Sequence, residues 1–414
     1  MTQTLSPGRE RWLLLTLAGI QFTHILDFMI MMPLGPQFTQ LFGISNAEFG
    51  LLVSAYTLSA GASGLLGSFY IDRFGRKRLL LTLYALFGLA TLSCGLAPGY
   101  GWLMAARIAA GVFGGILSAL SQTIVADVIP FERRGRAMSV VMTSFSVATV
   151  AGVPLGLWVA AHWSWHAPFI AIALAVLLLW IGAEFTMPSL QSHLDHGRSQ
   201  HPLAAVGQVL GAANHLKAFA LSALMMFAGF VVIPYITIYV QHNGGMRADQ
   251  VPWIYLFGGV ATLLSSRTMG RLTDRVGKIA MFRRMAWVLP LPLMATTLSE
   301  GLPVWGLVMI STSLFATMSA RMIPGMALVT SAADPRLRGT FMTLNSSVQS
   351  AAMGLAAIVG GLLIGRDAQD HLTGYWMTGL VGSVVSLITV WLAAQIHLHQ
   401  TPAMPGRPPT PSAR

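Results

Sequence analysis

Two charged side chains stand inside long apolar runs of this sequence, and their types suit proton chemistry. Asp27 lies in the run that begins near residue 12, and Arg107 lies in a later run. An ionisable side chain in a membrane-spanning run is costly, so it is a functional candidate by default. A buried carboxyl can take up and release a proton, whereas arginine stays charged. We therefore predict that Asp27 exchanges a proton and that Arg107 controls this exchange.

His24 precedes Asp27 by three residues, which places both side chains on one face of a helix. We include His24 with Asp27 and Arg107 in a predicted proton-coupling group. Two alternatives stay open from the sequence. Asp27 can pair permanently with an arginine or a polar neighbour, and His24 can be an internal residue held by a hydrogen bond.

Further polar side chains in the apolar runs are candidates for the lining of a substrate cavity. Arg321 is the repeat counterpart of Arg107, because each arginine is followed by a glycine four residues later. Methionine and aromatic residues nearby would give such a cavity an adaptable apolar wall. Each candidate can equally pack between helices or face lipid. The candidates are Gln21, Tyr56, Gln122, Tyr235, Arg321 and Asn345.

A proline between two glycines interrupts one apolar run, in the order Gly152-Val-Pro154-Leu-Gly156. Proline removes a helical hydrogen bond and can kink the helix, and glycine permits close contact with a neighbour. We predict that Gly152, Pro154 and Gly156 form a hinge. A kink that serves packing alone is the alternative.

The composition places these residues in membrane helices. Only 9% of residues are charged and 54% are hydrophobic, with a mean hydropathy of +0.66. These values exclude a soluble enzyme and a disordered chain. A spanning helix needs about 20 apolar residues. Twelve such runs lie near 12–33, 49–69, 79–97, 101–127, 138–160, 167–187, 218–240, 251–269, 282–299, 303–330, 341–365 and 373–396.

The net charge of +11 is distributed in a way that argues against nucleic-acid binding. An even number of spans puts both termini on one side, and most of the 25 lysines and arginines fall on that side. Only Arg247 and Arg366 fall on the other. The positive-inside rule therefore predicts cytoplasmic termini. The single cysteine, Cys94, predicts neither a disulfide nor a thiol metal site. We predict no metal and no cofactor.

A charged segment between two apolar runs occurs twice in the chain. The first copy runs from Gly67 to Arg78, and the second runs from Gly270 to Lys278. The repeat indicates that the chain contains two copies of one unit. Arg73 and Arg76 can pair with acids such as Asp127 or with lipid phosphates. We expect Gly75 to allow a left-handed turn.

This motif, with its flanking runs and its repeat, resembles the cytoplasmic loop motif of the major facilitator superfamily of transporters. The resemblance implies a fold class: an all-α membrane protein with twelve helices in two pseudo-symmetric six-helix bundles. It also implies that the charged segments act as a conformational latch. The latch residues would be Gly67, Asp72, Arg73, Gly75, Arg76, Asp274, Arg275 and Gly277. The divisions expected are a tail (1–11), the first bundle (12–187), a central loop (188–217), the second bundle (218–396) and a second tail (397–414).

The segments around Asp27, Arg107 and Pro154 resemble those of drug/proton antiporters in the same superfamily. We therefore expect a transporter and not an enzyme, exporting small organic molecules such as drugs or sugars in exchange for protons. Uptake by proton symport or by facilitated diffusion is the alternative, and a membrane sensor is a more distant one. The expected partners are a small-molecule substrate, protons and membrane lipids. We expect a monomer in a bacterial inner membrane.

Overall fold

Helices account for most of the described chain. The computed structural model describes residues 7–70, 74–129, 131–187, 202–334 and 336–398. The helices are α1 (Pro7–Ile30), α2 (Gly35–Phe42), α3 (Asn46–Tyr70), α4 (Arg76–Gly95), α5 (Tyr100–Val128), α6 (Phe131–Val147), α7 (Val153–His162), α8 (His166–Thr186), α9 (Pro202–Gly211), α10 (Ala213–Phe230), α11 (Ile236–His242), α12 (Val251–Val276), α13 (Lys278–Val288), α14 (Pro290–Thr297), α15 (Val304–Ala332), α16 (Arg338–Leu363) and α17 (Tyr375–Ala394).

Ten of the twelve predicted membrane-crossing segments are confirmed. Within the described part of the chain, ten helical segments are long and apolar enough to cross a membrane by length and composition. The other two predicted runs correspond to α12, which carries Arg267 and Arg271, and to the pair α13–α14, which is broken between Val288 and Pro290. The all-α fold expected from the sequence is therefore present.

Several helices extend past the apolar runs from which they were predicted. Helix α12 continues to Val276, whereas its apolar run ends near residue 269. Backbone hydrogen bonds can continue into water, so a helix ends where the backbone turns and not where hydrophobicity falls. Here the turn is Gly277, whose φ of 95° lies in the region that favours glycine.

Two crossings change their helical geometry at a proline. In the fifth crossing a π-helical turn, Ala148–Gly152, joins α6 to α7 just before Pro154. In the seventh crossing a 3-10 turn, Ile233–Tyr235, contains Pro234 and joins α10 to α11. Proline cannot donate the backbone hydrogen bond that an α-helix requires, so the ladder must adjust at these points.

The first and second groups of six crossings pack together through small residues. Helix α3 lies along α16, where a Cβ added to Gly50 would come within 2.6 Å of the Ala357 carbonyl oxygen. On the other side of the molecule, a Cβ on Gly259 of α12 would come within 2.9 Å of Val150 Cα in the π-helical turn. Glycine at these points lets two backbones touch.

The two ends of the molecule differ in character. We call the end that carries α2 and the hairpin Gly365–Thr373 the short-helix end, and the end that carries residues 74–78 and 271–278 the charged end. At the short-helix end, Asn46 of α3 donates a hydrogen bond to the Ile364 carbonyl at 3.3 Å and accepts one from Arg366 at 3.4 Å. These bonds join the two groups of helices and close the short-helix end.

Candidate functional site

The two charged residues singled out by the sequence form a buried ion pair. Nη1 of Arg107 lies 2.8 Å from Oδ2 of Asp27, and both side chains are 0% exposed. The same Nη1 also donates to the Asp27 backbone carbonyl at 3.3 Å. Asp27 stands near the end of α1 and Arg107 near the start of α5, so the pair lies toward the short-helix end. Removing one member would leave an uncompensated charge in an apolar interior.

The pair has unused hydrogen-bonding capacity. Oδ1 of Asp27 and Nε and Nη2 of Arg107 are buried and have no hydrogen-bond partner in the described part of the chain. Thr91 lies beside the carboxylate and Cys94 beside the guanidinium, both on α4. Nothing local in the sequence marks Thr91 or Cys94, because each faces a pair that lies on two other helices. Because the pair is not fully satisfied, each member retains the capacity for a further partner.

An aromatic ring covers the guanidinium. Cζ of Arg107 lies 4.4 Å from the centroid of the Tyr56 ring, a geometry that suits a cation–π contact. This contact depends on the close approach of α5 to α3. A Cβ on Gly111 would clash with the Tyr56 carbonyl, and a Cβ on Gly115 would clash with the Ala60 carbonyl. The two glycines therefore position Tyr56 over Arg107.

His24 lies beside the same tyrosine. Its ring centroid is 6.0 Å from that of Tyr56 and 5.8 Å from that of Phe87. Gly114 provides the space, because a Cβ there would come within 2.8 Å of both His24 Cδ2 and the Tyr56 hydroxyl. Both ring nitrogens of His24 are buried and have no hydrogen-bond partner among the described residues. The structure thus places His24 near the ion pair without bonding it to Asp27.

The second half of the molecule repeats the arginine but not the acid. Arg321 is 1% exposed, and its Nη2 donates to the Met225 carbonyl at 2.6 Å while Nη1 donates to Ser386 at 3.2 Å. Among the described residues, no carboxylate forms an ion pair with it. The backbone carbonyl contacted by Arg321 belongs to Met225, just as that contacted by Arg107 belongs to Asp27. Met225 therefore occupies the position that corresponds to Asp27.

The remaining cavity candidates lie in different surroundings. Gln21 is buried and donates to the Ser118 hydroxyl at 3.0 Å. Tyr235 is fully buried, and its hydroxyl donates to the Ala357 carbonyl at 2.5 Å, within the contact between α3 and α16. Asn345 is also buried, with its Oδ1 unpartnered. Gln122 is exposed.

Two of the three proposed hinge residues pack against the helix that carries Asp27. A Cβ on Gly152 would come within 3.0 Å of Leu26, and one on Gly156 would come within 2.7 Å of Ile30, both on α1. Between these glycines, Pro154 opens α7 directly after the π-helical turn. The π-helical turn also contacts Gly259 of α12, so this segment touches both α1 and the second group of helices.

The proposed latch is described in part. Nε of Arg76 lies 2.7 Å from Oδ2 of Asp127, as the sequence suggested. Gly67 is buried in α3, while Asp274 and Arg275 are exposed in the last turn of α12. Asp72 and Arg73 lie outside the described residues. The expected left-handed turn at Gly75 is wrong: its φ of −60° and ψ of 127° are extended, because the chain enters α4 there without reversing.

A network of side chains surrounds the bonds that close the short-helix end. Arg366 donates to Oδ1 of Asp370 at 2.5 Å, and Nδ1 of His242 lies 3.1 Å from Oδ2 of the same residue. The hydrogen bond from Arg366 holds the pKa of Asp370 below its ordinary value. Asn243 at the end of the seventh crossing bonds to both the N–H and the carbonyl of Leu372. The hairpin is thereby tied to α11 as well as to α3.

Comparison with known proteins agrees with this architecture. The family model for the Major Facilitator Superfamily matches residues 17–357. The chain is 24% identical to the MFS-type transporter YbcL of Bacillus subtilis, over 91% of this chain and 94% of the relative. It is 25% identical to a chloramphenicol efflux pump of Mycobacterium tuberculosis, over 87% of this chain and 86% of the pump.

Two solved structures share the fold. A D-xylose–proton symporter aligns with a TM-score of 0.74 at 18% identity, covering 93% of this chain and 97% of the symporter. A bacterial homologue of the human lysosomal transporter Spinster, in an inward-facing and occupied conformation, aligns with a TM-score of 0.73 at 16% identity, covering 96% of this chain and 100% of the homologue.

Proposed function

The chain belongs to the Major Facilitator Superfamily of transporters, and from that premise we propose that it exports small organic molecules in exchange for protons. The observation that carries this proposal is the Asp27–Arg107 ion pair, which is fully buried yet not fully hydrogen-bonded. In this pair, which lies in the first group of helices, Asp27 is the titratable acid and Arg107 is the permanent cation that holds it. The second group offers Met225 in the same position, which cannot bind a proton.

Proton binding and ion pairing compete for one carboxylate. When Asp27 takes up a proton, its attraction to Arg107 falls, and the guanidinium keeps Tyr56 and the Asp27 carbonyl as contacts. When the proton leaves, the pair forms again. In an interior of low dielectric constant the two states differ greatly in electrostatic energy. Each protonation state can therefore favour its own arrangement of α1 against α5. In this proposal His24, which lies beside Tyr56, assists the transfer.

Alternating access to the two sides of the membrane would use the predicted hinge and the predicted latch. With the termini in the cytoplasm of a bacterial cell, the short-helix end faces outward, and the bonds of Asn46 close that side. This arrangement corresponds to an inward-facing state. Opening would break these bonds, bend the fifth crossing at Gly152, Pro154 and Gly156, and engage the charged segments as a latch at the charged end.

Export is favoured over uptake by the chloramphenicol efflux pump among the relatives. The D-xylose–proton symporter shares the fold and keeps uptake as the second candidate. The two differ in the direction of proton movement when substrate is added, so one assay separates them.

The proposal is tested in proteoliposomes that contain a pH-sensitive dye. Chloramphenicol is added to the wild type and to Asp27→Asn under an imposed pH gradient. We expect substrate-dependent proton movement in the wild type and none in Asp27→Asn, because an amide cannot exchange the proton. The sign of the dye signal distinguishes exchange from co-transport.

The matched control is Asp249→Asn, which alters an exposed acid that is 58% exposed and contacts Arg247 only two residues away. Asp249→Asn should show the same substrate-dependent proton movement as the wild type. Equal proton movement in Asp27→Asn and the wild type would show that the pair is structural and that coupling occurs elsewhere.

A further inference from the structure

A row of aromatic rings connects the two groups of helices with the ion pair. The Phe28 ring of α1 stacks on the Phe230 ring of α10, with centroids 6.1 Å apart and planes at 25°. Phe28 also stacks on Tyr56 of α3 at 5.5 Å and 24°. Tyr56 in turn contacts Arg107. We call Phe230, Phe28 and Tyr56 the aromatic row.

The row is accessible at one end and sealed at the other. Phe28 and Phe230 are partly exposed where the two groups of helices meet, whereas Tyr56 is 3% exposed and Arg107 is 0% exposed. Partly exposed, nearly parallel rings offer faces and edges on which another ring can pack, since aromatic pairs favour centroid distances of about 4.5–7 Å. The accessible end of the row is therefore suited to an aromatic ligand.

The charge at the sealed end indicates which aromatic ligands suit the site. The cation that touches the row is Arg107, and Asp27 balances its charge. A ligand packed against Phe28 and Phe230 thus meets apolar surface and a neutralised pair, which favours an uncharged molecule.

We propose that Phe28 and Phe230 bind the aromatic ring of an uncharged substrate, and that Tyr56 transmits this binding to the ion pair. The proton step of this proposal rests on the proposed function, whereas the binding step does not. A ring seated against Phe28 and Phe230 holds Phe28 on Tyr56, and Tyr56 holds Arg107 where it pairs with the Asp27 carboxylate. The O–H bond of protonated Asp27 then breaks, and the proton passes to water on the open side.

The sequence position of Phe28 strengthens this connection. Phe28 directly follows Asp27 in α1, so one residue faces the substrate side while its neighbour faces Arg107. Any displacement of this turn of α1 by substrate moves both side chains together. Rings that served only to fill space between the helices would not connect substrate to the pair in this way.

The binding step is tested with the purified full-length protein and chloramphenicol as an uncharged aromatic probe. Phe28→Leu and Phe230→Leu keep apolar volume but remove the ring, and each should weaken binding about three- to tenfold, the value of one aromatic pair. Phe42→Leu is the matched control, because Phe42 stacks on Phe38 within the first group of helices at 6.0 Å. Thermal unfolding of each variant verifies that it is folded.

The transmission step is tested at Tyr56 in the proteoliposome assay. Tyr56→Leu should still bind chloramphenicol but release fewer protons per substrate, since the guanidinium loses its ring. Tyr56→Phe retains the ring and should restore the wild-type number of protons released per substrate. If the hydroxyl were the group that matters, Tyr56→Phe would not restore this number.

The outcomes separate the two proposals. Wild-type protein that binds D-xylose but not chloramphenicol, or Phe28→Leu and Phe230→Leu variants that bind chloramphenicol as Phe42→Leu does, would overturn the aromatic site. A normal proton ratio in Tyr56→Leu would overturn the transmission. Loss of binding in the phenylalanine variants, with no proton movement in the wild type, would retain the aromatic site and reject proton exchange.

Discussion

At the residue scale, the two halves of the molecule give the same arginine opposite neighbours. Arg107 meets the carboxylate of Asp27, while Arg321 donates, among the described residues, to the carbonyl of Met225 and the hydroxyl of Ser386. A buried arginine with an acid can gain and lose its ion pair as the acid titrates. A buried arginine held by a carbonyl keeps the same partner, because a backbone carbonyl does not titrate. The asymmetry therefore favours the first half as the place of the proposed proton exchange, with a fixed structural contact in the second half.

This asymmetry predicts unequal effects of removing each arginine. Arg107→Met leaves the buried Asp27 carboxylate unpaired, and breaking a buried pair costs about 3–5 kcal/mol. The double variant Asp27→Asn/Arg107→Met should recover most of that loss, because no isolated charge remains. Thermal unfolding of the purified variants measures both effects.

Arg321→Met provides the comparison at the corresponding position. It should lower the unfolding temperature less than Arg107→Met does, since no carboxylate loses its partner. An Arg107→Met protein as stable as the wild type, or a double variant less stable than the single one, would contradict the role assigned to the pair.

At the scale of helices, the fifth crossing links the helix that carries Asp27 to the second group of helices. Its glycines contact α1 at Leu26 and Ile30, on either side of Asp27. Its π-helical turn contacts Gly259 of α12. A bend at this turn would thus displace both α1, which carries Asp27, and the interface between the two groups of helices. The proline that shapes the turn cannot make the hydrogen bond that would straighten it.

Two glycine-to-alanine changes test this contact. Gly259→Ala should lower stability by about 1–3 kcal/mol, the usual cost of overpacking, and slow transport, because the added methyl would lie within 2.9 Å of Val150 Cα. Gly182→Ala in α8 is the control, because no described residue lies within 4 Å of the added Cβ. It should be neutral or slightly stabilising, since alanine favours helix.

The readouts for this pair of variants are thermal unfolding and the initial rate of chloramphenicol transport. Equal rates and equal unfolding temperatures for Gly259→Ala and Gly182→Ala would mean that the close contact of the π-helical turn is not required.

At the scale of the whole molecule, closure depends on a few polar bonds and on close backbone contacts. Asn46 and the hairpin join the halves at the short-helix end, and glycines bring α3 and α16 together along their length. Polar bonds at an exposed end are individually weak because water competes for them. A closure built in this way can open and close during each cycle of transport.

Removing the bonds of Asn46 should shift the molecule toward opening at the short-helix end. Ile238 of α11 is fully buried against Gly35 of α2 and reports on this closure. In an Ile238→Cys protein, Asn46→Ala should increase maleimide labelling several-fold. The native Cys94 is buried and contributes little background.

Asp249→Ala serves as the control for the labelling, because Asp249 lies near the same end but bonds only to Arg247 in the described structure. It should leave labelling of Ile238→Cys unchanged. An Asn46→Ala variant that labels no faster than this control would show that the polar bonds do not maintain closure.

The sequence by itself determined the class of molecule, the expected number of crossings and the candidate functional residues. Apolar runs, the scarcity of charge and the repeated charged segment are local properties, and the cost of charge in a membrane singles out Asp27 and Arg107 without any knowledge of packing. The proline of the fifth crossing likewise marked a change in helical geometry, because a missing N–H acts on its own helix.

Only the tertiary structure decided which partners these residues meet. Asp27 and Arg107 are 80 positions apart, and their contact depends on how glycines let α5 approach α3. The same packing placed Tyr56 over Arg107, aligned Phe28 with Phe230, and gave Arg321 a carbonyl in place of an acid. The reason is physical: hydropathy and charge act along the chain, whereas a contact between two helices depends on the shapes of both.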